Sequence, residues 1–240
     1  MASPFAPKLT AALALGATCA AVAAAATPAQ AAATPRTQRL VILKQAHHAY
    51  SKPDHRSRAL TSVARRRPIT LARTTLPVLG ERTGPDRRRW LHVMLPGRPN
   101  GHTGWISRNA TIPAVTAWRI EADISQRRVT VFHSGHLTRT YRAVVGKPST
   151  PTPHGRFFVE ETVRLTGSMV GAPYALALSA RSNVLEQFDG GPGQIALHGL
   201  GNVGGVPGTA ASHGCLRLDN RSITWLAARI GPGVPVTIRG

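Results

Sequence analysis

From Ile69 to the C-terminus the apolar residues of this chain come in short runs, and most of them are closed off by Gly, Pro or Asn. That spacing leaves room for strands and turns but little for helices, so it predicts a mainly β protein. Runs at 69–71, 77–79, 90–95 and 105–106 are separated by Gly84-Pro85, Pro96-Gly97, Pro99-Asn100-Gly101 and Gly104, the turn chemistry of hairpins. Longer alternating runs follow at 119–123, 129–133 and 140–145, with Ser134-Gly135-His136 as the turn between the last two. Pro148, Pro151 and Pro153 then impose an exposed, non-helical loop. Residues 157–160, 175–178, 195–197 and 234–238 supply further strands. One helix is predicted: Asn220 caps it, Ile223, Leu226, Ala227 and Ile230 line one side, and Gly231-Pro232 ends it.

The first thirty or so residues have a secretory layout. Lys8 stands in a short polar region, an apolar run extends over 9–26, and Ala29-Gln30-Ala31 forms a small-x-small cleavage site. Residues 1–31 are therefore expected to be a signal peptide, with the mature chain secreted across the cytoplasmic membrane to periplasm or cell wall. No stop-transfer pattern follows, so no transmembrane segment is expected in the mature form. Cys19 follows Thr18, where a lipidation signal has Gly or Ala. Cleavage removes Cys19 and leaves Cys215 without a partner in an oxidising compartment. A free cysteine is often a small buried hydrophobe. Flanked by His213, Gly214 and Arg217, Cys215 reads instead as a reactive thiol that its positive neighbours would shift toward thiolate.

The chain carries a formal charge of +20, and loss of Lys8 with the signal leaves it strongly cationic. Such a charge attracts polyanions, and export points to anionic cell-envelope polymers instead of nucleic acid. The arginines are dispersed apart from the runs 65–67 and 87–89, so a merely solvated basic surface stands as the alternative. Residues 32–67, rich in Arg, His and Ser with one apolar stretch at 40–43, are expected to be a basic linker. Residues 68–113 form the next unit, a small β module, and 117–239 the last.

Ser212-His213-Gly214-Cys215-Leu216-Arg217 carries the chemistry. If a strand continues through it, His213 and Cys215 share one face and Ser212 and Gly214 the other. Two residues along a strand span about 6.4 to 6.8 Å, whereas opposed residues on paired strands lie about 4.5 to 5.5 Å apart. A cross-strand imidazole therefore reaches the sulfur more easily. His198, which ends the apolar strand 195–197, is assigned as the base and His213 as a supporting imidazole. The N–H groups of Gly214 and Cys215 are placed to hold a tetrahedral oxyanion. Ser212 and Arg217 are assigned to substrate, with Arg217 gripping a carboxylate. His198, His213 and Cys215 are also zinc-ligand types, but no nearby Asp, Glu or second Cys completes a site, so neither metal nor cofactor is expected. Gly199-x-Gly201-x-x-Gly204 matches a dinucleotide fingerprint only formally, because Gly205, Pro207 and Gly208 stand where a helix must begin. It reads as a flexible loop over the site.

At these residues the chain resembles the L,D-transpeptidases, whose catalytic domain is called YkuD. The shared pattern is His198-Gly199, a thirteen-residue loop from Gly199 to Ala211, and Ser212 to Arg217. The stretch from Gly146 to Phe157 also resembles the loop before that family's substrate cleft. Leu200 departs from the small hydroxyl residue often found in relatives, at a point where a backbone carbonyl is the family's third triad member. The resemblance implies a β-sandwich or barrel with a short C-terminal helix. It implies Cys215 as nucleophile, His198 as proton carrier and His213 with Gly214 in the stabilising site. Its substrate would be a peptidoglycan tetrapeptide stem, cleaved before terminal D-alanine to a thioester and passed to a diaminopimelate amine. Water as acceptor would make it an L,D-carboxypeptidase. A looser likeness covers the module at 68–113: Trp90-Leu91-His92-Val93, a turn, then Gly104-Trp105-Ile106 resembles a bacterial SH3-like barrel. Trp90 and Trp105 would there either fill a small core or dock wall peptides, the latter making the chain a non-catalytic wall-binding protein.

Overall fold

The structure, a computed structural model, describes residues 1–3, 36–187 and 190–240. The expected signal peptide, with Cys19, falls outside them apart from Met1, Ala2 and Ser3. The first sheet comprises β1 (Gln38–Leu43), β2 (His47–Tyr50), β3 (Ala59–Val63), β4 (Thr75–Thr83), β5 (Arg89–Met94), β6 (Thr103–Ser107) and β7 (Thr111–Thr116), in the order β3-β2-β6-β5-β4-β1-β7. Then follow β8 (Trp118–Asp123), β9 (Arg128–His133), β10 (His136–Arg142), β11 (Val145–Gly146), β12 (Gly155–Arg164), β13 (Tyr174–Arg181), β14 (Gln194–His198), β15 (Ala210–Ser212), β16 (Leu216–Arg217), helix α1 (Asn220–Ala227) and β17 (Pro235–Arg239). Eight of these strands form the second sheet, β10-β9-β8-β17-β12-β13-β14-β16, while β11 and β15 pair separately in parallel. The protein is mainly β, as its turn-punctuated sequence predicts.

Residues expected to form a basic linker at 32–67 instead contribute β1, β2 and β3. The apolar stretch 40–43 lies within β1, which pairs with β4 on one side and β7 on the other. In β2 the buried His47 and Ala49 alternate with His48 and Tyr50. A strand with one solvated face needs only every second residue to be apolar, so a polar composition does not exclude it. The first sheet therefore spans 38–116, not 68–113. The run 69–71, expected as a strand, is a turn with Leu71 at φ 57°, and Ile69 and Leu71 are each 61% exposed. Trp90 is fully buried, edge-on to Tyr50 at 5.7 Å, and Trp105 stacks on His92. Trp90 is thus a core residue and no docking platform.

β12 explains why the two sheets form one body. Its neighbours Phe157 and Phe158 point to opposite faces, as consecutive strand residues must, yet both are buried. Phe157 joins the core of the second sheet and Phe158 that of the first. Each such side chain contributes roughly 1.5 to 3 kcal/mol by leaving water. Beside them Glu160, also buried, receives Arg67 from the first sheet's connecting segment, Arg181 of β13 at 3.3 Å and the Gln194 amide of β14 at 3.2 Å. Burial pushes the Arg181 guanidinium down to about 10. Next to it, Glu161 accepts from the N–H and hydroxyl of Thr70.

Helix α1 begins one residue earlier than expected in its capping: Asp219, not Asn220, is the N-cap and accepts from the Ser222 N–H at 2.9 Å. Asn220 spends its side chain elsewhere, accepting from the Leu200 N–H at 2.9 Å. The helix buries Ile223 and Leu226 against the second sheet.

Among the described residues Glu160 is the carboxylate that Arg67 and Arg181 share, so Glu160→Gln leaves Arg181 without its ion pair and Arg67 with the more distant Glu161 charge alone. Breaking such a cluster from one side costs about 3 kcal/mol or more. Urea unfolding should show a lower midpoint with an unchanged slope.

Candidate active site

The parallel pairing of β14 with β16 sets Leu197 opposite Leu216 and His198 opposite Arg217. Both leucines are fully buried and anchor the register. Extended one step back, the same register brings Cys215 beside Ala196, whose N–H donates to the sulfur. His198 is thus diagonal to Cys215 on the shared face and directly opposite Arg217. Cys215, His198, His213 and Arg217 line one cavity of about 410 Å³, together with Val203, Ala211 and a wall that includes Ser182, Leu185 and Gly193. Cys215 is the free cysteine among the described residues.

The motif is not a continuous strand. Gly214 has φ 116°, a conformation that only glycine adopts without strain, and it bends the chain between β15 and β16. Three hydroxyls hold that bend. Ser212 is fully buried; its Oγ donates to the Cys215 carbonyl at 2.6 Å and accepts from the Gly214 N–H at 3.1 Å. Thr152 Oγ1 donates to the Gly214 carbonyl at 2.9 Å while accepting from the Gly146 N–H, and Thr150 Oγ1 donates to the Ser212 carbonyl. Ser212 therefore shapes the loop and does not reach substrate, and the Gly214 N–H is already engaged. Thr150 and Thr152 escape a sequence reading that sees only a proline-rich loop there; their alternation with Pro151 and Pro153 is the available signal.

His198 is buried at the end of β14. Its Nδ1 donates to the Gly199 carbonyl at 2.8 Å, which fixes the proton on Nδ1 and leaves Nε2 as the basic nitrogen. The acceptor is thus Gly199, one residue before Leu200. Gly171, not singled out in the sequence, presses against the ring: at φ 87°, a Cβ there would lie 2.6 Å from Nδ1. Gly171 also stitches the loop, accepting from the Gly199 N–H and donating to the Gly201 carbonyl. His213 sits exposed at the cavity rim.

Arg217 is 9% exposed, and its guanidinium donates to the carbonyls of Val203 and Gly204 at 3.4 and 3.3 Å. It ties the glycine loop down over the cavity; the loop expected to be flexible is anchored by this residue and by Asn220. Burial pushes the Cys215 thiol up, against the opposing pull of the Ala196 N–H and the Arg217 charge. Burial likewise lowers His198, and Arg217 lowers it further. Both directions run against the thiolate that the flanking positive residues suggest. Desolvation penalises both charges more than Arg217 stabilises one of them. Among the described residues no three His, Cys, Asp or Glu side chains gather as a metal site.

Comparison with known proteins places this geometry in context. The family model for the L,D-transpeptidase catalytic domain, YkuD, matches residues 117–238. A YkuD protein of Bacillus licheniformis is 28% identical over 165 residues, covering 66% of this chain and 92% of its own length. Its Bacillus subtilis counterpart is 30% identical over 146 residues, covering 61% and 73%. L,D-transpeptidase 1 of Mycobacterium tuberculosis is 30% identical over 131 residues, covering 50% and 49%. Among solved structures, L,D-transpeptidase 3 from Mycobacterium tuberculosis, in complex with a faropenem-derived adduct, is 16% identical with a TM-score of 0.44, covering 70% and 91%. The family match begins after β7 and does not reach the first sheet.

Two measurements test the site. Iodoacetamide alkylation of Cys215 should still be accelerating at pH ~9, because a thiol raised by burial ionises above its ordinary range; a plateau near neutrality would reveal a preformed ion pair. Gly171→Ala should displace the imidazole and slow acylation of Cys215 by about tenfold or more in stopped-flow assays.

Proposed function

Because the chain belongs to the L,D-transpeptidase family defined by the YkuD catalytic domain, we propose that it is exported and cross-links peptidoglycan stem peptides through a thioester on Cys215. The observation that carries this reading is one cavity holding a thiol and an imidazole whose tautomer is fixed with Nε2 available. As the sulfur attacks the carbonyl between diaminopimelate and D-alanine, its proton passes to His198 Nε2. The buried Arg217 charge stabilises the thiolate character that develops, and the Cys215 N–H donates to the oxyanion. Collapse breaks the amide bond, and D-alanine leaves with the proton held by His198. An amine of a second stem then attacks the thioester; His198 accepts its proton and returns it to the departing sulfur.

The lowered His198 suits this sequence, since it favours the unprotonated imidazole that a general base needs. His213, at the rim, and Gly214, whose bend aims the Cys215 N–H, complete the stabilising site. Residues 1–31 act as the signal in this reading, and the mature chain works in periplasm or cell wall.

Anionic envelope polymers are the proposed second partner. A groove of about 520 Å³ on the first sheet is lined by Arg39, Arg87, Arg88, Arg89 and Arg108. Glu81 pairs with Arg89 at 2.7 Å, Arg39 at 3.2 Å and Arg108 at 3.6 Å, and Asp86 with Arg88 at 3.8 Å, so two carboxylates answer five guanidinium groups. Guanidinium forks match phosphate oxygens, and the uncompensated charge attracts them.

Intact-mass measurement after incubation with a carbapenem should show a covalent adduct on the native chain and none on Cys215→Ala; a native chain that stays unmodified would sink the catalytic assignment. His198→Asn should lower acylation by about 10² to 10⁴-fold. Product analysis on purified muropeptides separates cross-linking from hydrolysis. Retention of the protein on purified walls should fall with added salt and with Arg87→Ser/Arg88→Ser, and should survive Cys215→Ala.

A further inference from the structure

The cavity wall opposite the glycine loop is not held by the catalytic sheet alone. It follows β13 through Ser182 and Leu185 and returns through Pro192 and Gly193 into β14. Among the described residues, the Ser182 N–H donates to the Gly193 carbonyl, and the Ser182 hydroxyl accepts from the N–H groups of Val184 and Leu185. Further bonds come from the first sheet's turn between β5 and β6. Arg98 donates to three carbonyls of the segment, Ser182 at 2.8 Å, Pro192 at 2.9 Å and Leu185 at 3.2 Å. One guanidinium thereby joins both ends of the loop. Asn100 grips its root in both directions, accepting from the Arg181 N–H at 2.8 Å and donating to the Arg181 carbonyl at 2.7 Å and to Asn183 Oδ1 at 3.0 Å.

The fit is tight at the point of contact. A Cβ on Gly193 would lie 2.0 Å from the Leu185 carbonyl and 3.5 Å from the Arg98 guanidinium. Next in the chain is Gln194, whose carbonyl lies 4.0 Å from the Cys215 sulfur and whose amide is bound to Glu160. Gln194 is thus held by Glu160 independently of Arg98, while the wall before it depends on the first sheet. Three carbonyl oxygens turned toward one position form a receptor for a planar cation, and charge-assisted bonds of this kind are about twice as strong as neutral ones. An ammonium on a flexible stem cannot span all three.

We infer that Arg98 and Asn100 are positioning residues for the stem-peptide substrate: the first sheet is a built part of the transpeptidase cleft and fixes its wall at Ser182, Leu185 and Gly193. This rests on the catalytic reading above. It assigns the N-terminal sheet a role in substrate binding at Cys215 that is separate from any affinity for the wall as a whole.

Steady-state kinetics of the full chain on a tetrapeptide stem test it. Arg98→Ala should raise KM by about tenfold while kcat stays within about threefold, because the substrate loses its wall but the reacting groups keep theirs. Arg98→Lys should recover only part of the loss. Asn100→Asp keeps the acceptor for the Arg181 N–H, loses both donor bonds, and should resemble Asn100→Ala. Thermal midpoints recorded alongside separate positioning from stability: a variant with a lower midpoint but unchanged KM overturns the inference, as does a fall in kcat at constant KM. Should Arg98→Ala not fold, Arg98→Lys and Asn100→Ala decide by the same criterion. Failure of the catalytic reading itself would look different, since the native chain would then take up no carbapenem.

Discussion

A carboxylate shut away from water must be paired or neutralised, and Glu160 is met by two guanidinium groups and an amide. Those three partners come from the segment before β4, from β13 and from β14. Their convergence fixes how the first sheet meets the second, and through Gln194 it fixes the strand that carries His198. Glu160 sits on β12 beside Phe157 and Phe158, the pair that divides the two cores. Apolar burial supplies most of the cohesion there, while the ionic cluster supplies direction: hydrophobic faces can slide over one another, but a buried charge tolerates few alternatives. The same strand is thus wall, core and register pin.

The site follows from a second constraint, the burial of His198 and Arg217 and the partial burial of Cys215 on the face shared by β14 and β16. A thiolate or an imidazolium on this face must first leave water, and burial works against both charges. Arg217 tilts the balance without reversing it. Its charge lowers the sulfur and the imidazole together, which favours ionisation of the one and opposes protonation of the other. Burial thus raises the Cys215 thiol and lowers His198, two groups that line one cavity.

Much of this was legible in the sequence because its determinants are local. Turn residues marked the strands from β4 onward, and the spacing of a His-Gly step before Ser-His-Gly-Cys-x-Arg pointed to Cys215 and His198, which the fold brings to one cavity. What escaped depends on contacts between distant segments. β1 to β3 look like a linker because half of each strand is solvated and polar. Ser212 looks like a substrate ligand until the bend at Gly214 turns its hydroxyl inward. Arg217 looks like a carboxylate clamp until the glycine loop supplies carbonyls for it. Gly171 and Glu160 give no sign at all in one dimension, since their importance lies in which residues the fold brings against them.

The use of acidic residues connects the fold to the chain's surplus of positive charge. Of ten acidic residues, most are committed to internal work: Glu160 and Glu161 tie the sheets, Asp219 caps α1, Asp123 closes a turn, Glu81 gathers three arginines and Glu121 bridges Arg119 and Arg239. Few are left to neutralise the exposed arginines. A protein that needed only solubility could reach it with a smaller net charge, because excess like charge repels itself in the compact state. The arrangement makes sense where counter-charge is plentiful outside the molecule. The anionic wall proposed as its partner would supply that counter-charge, while Glu160 keeps Arg67 and Arg181 in place.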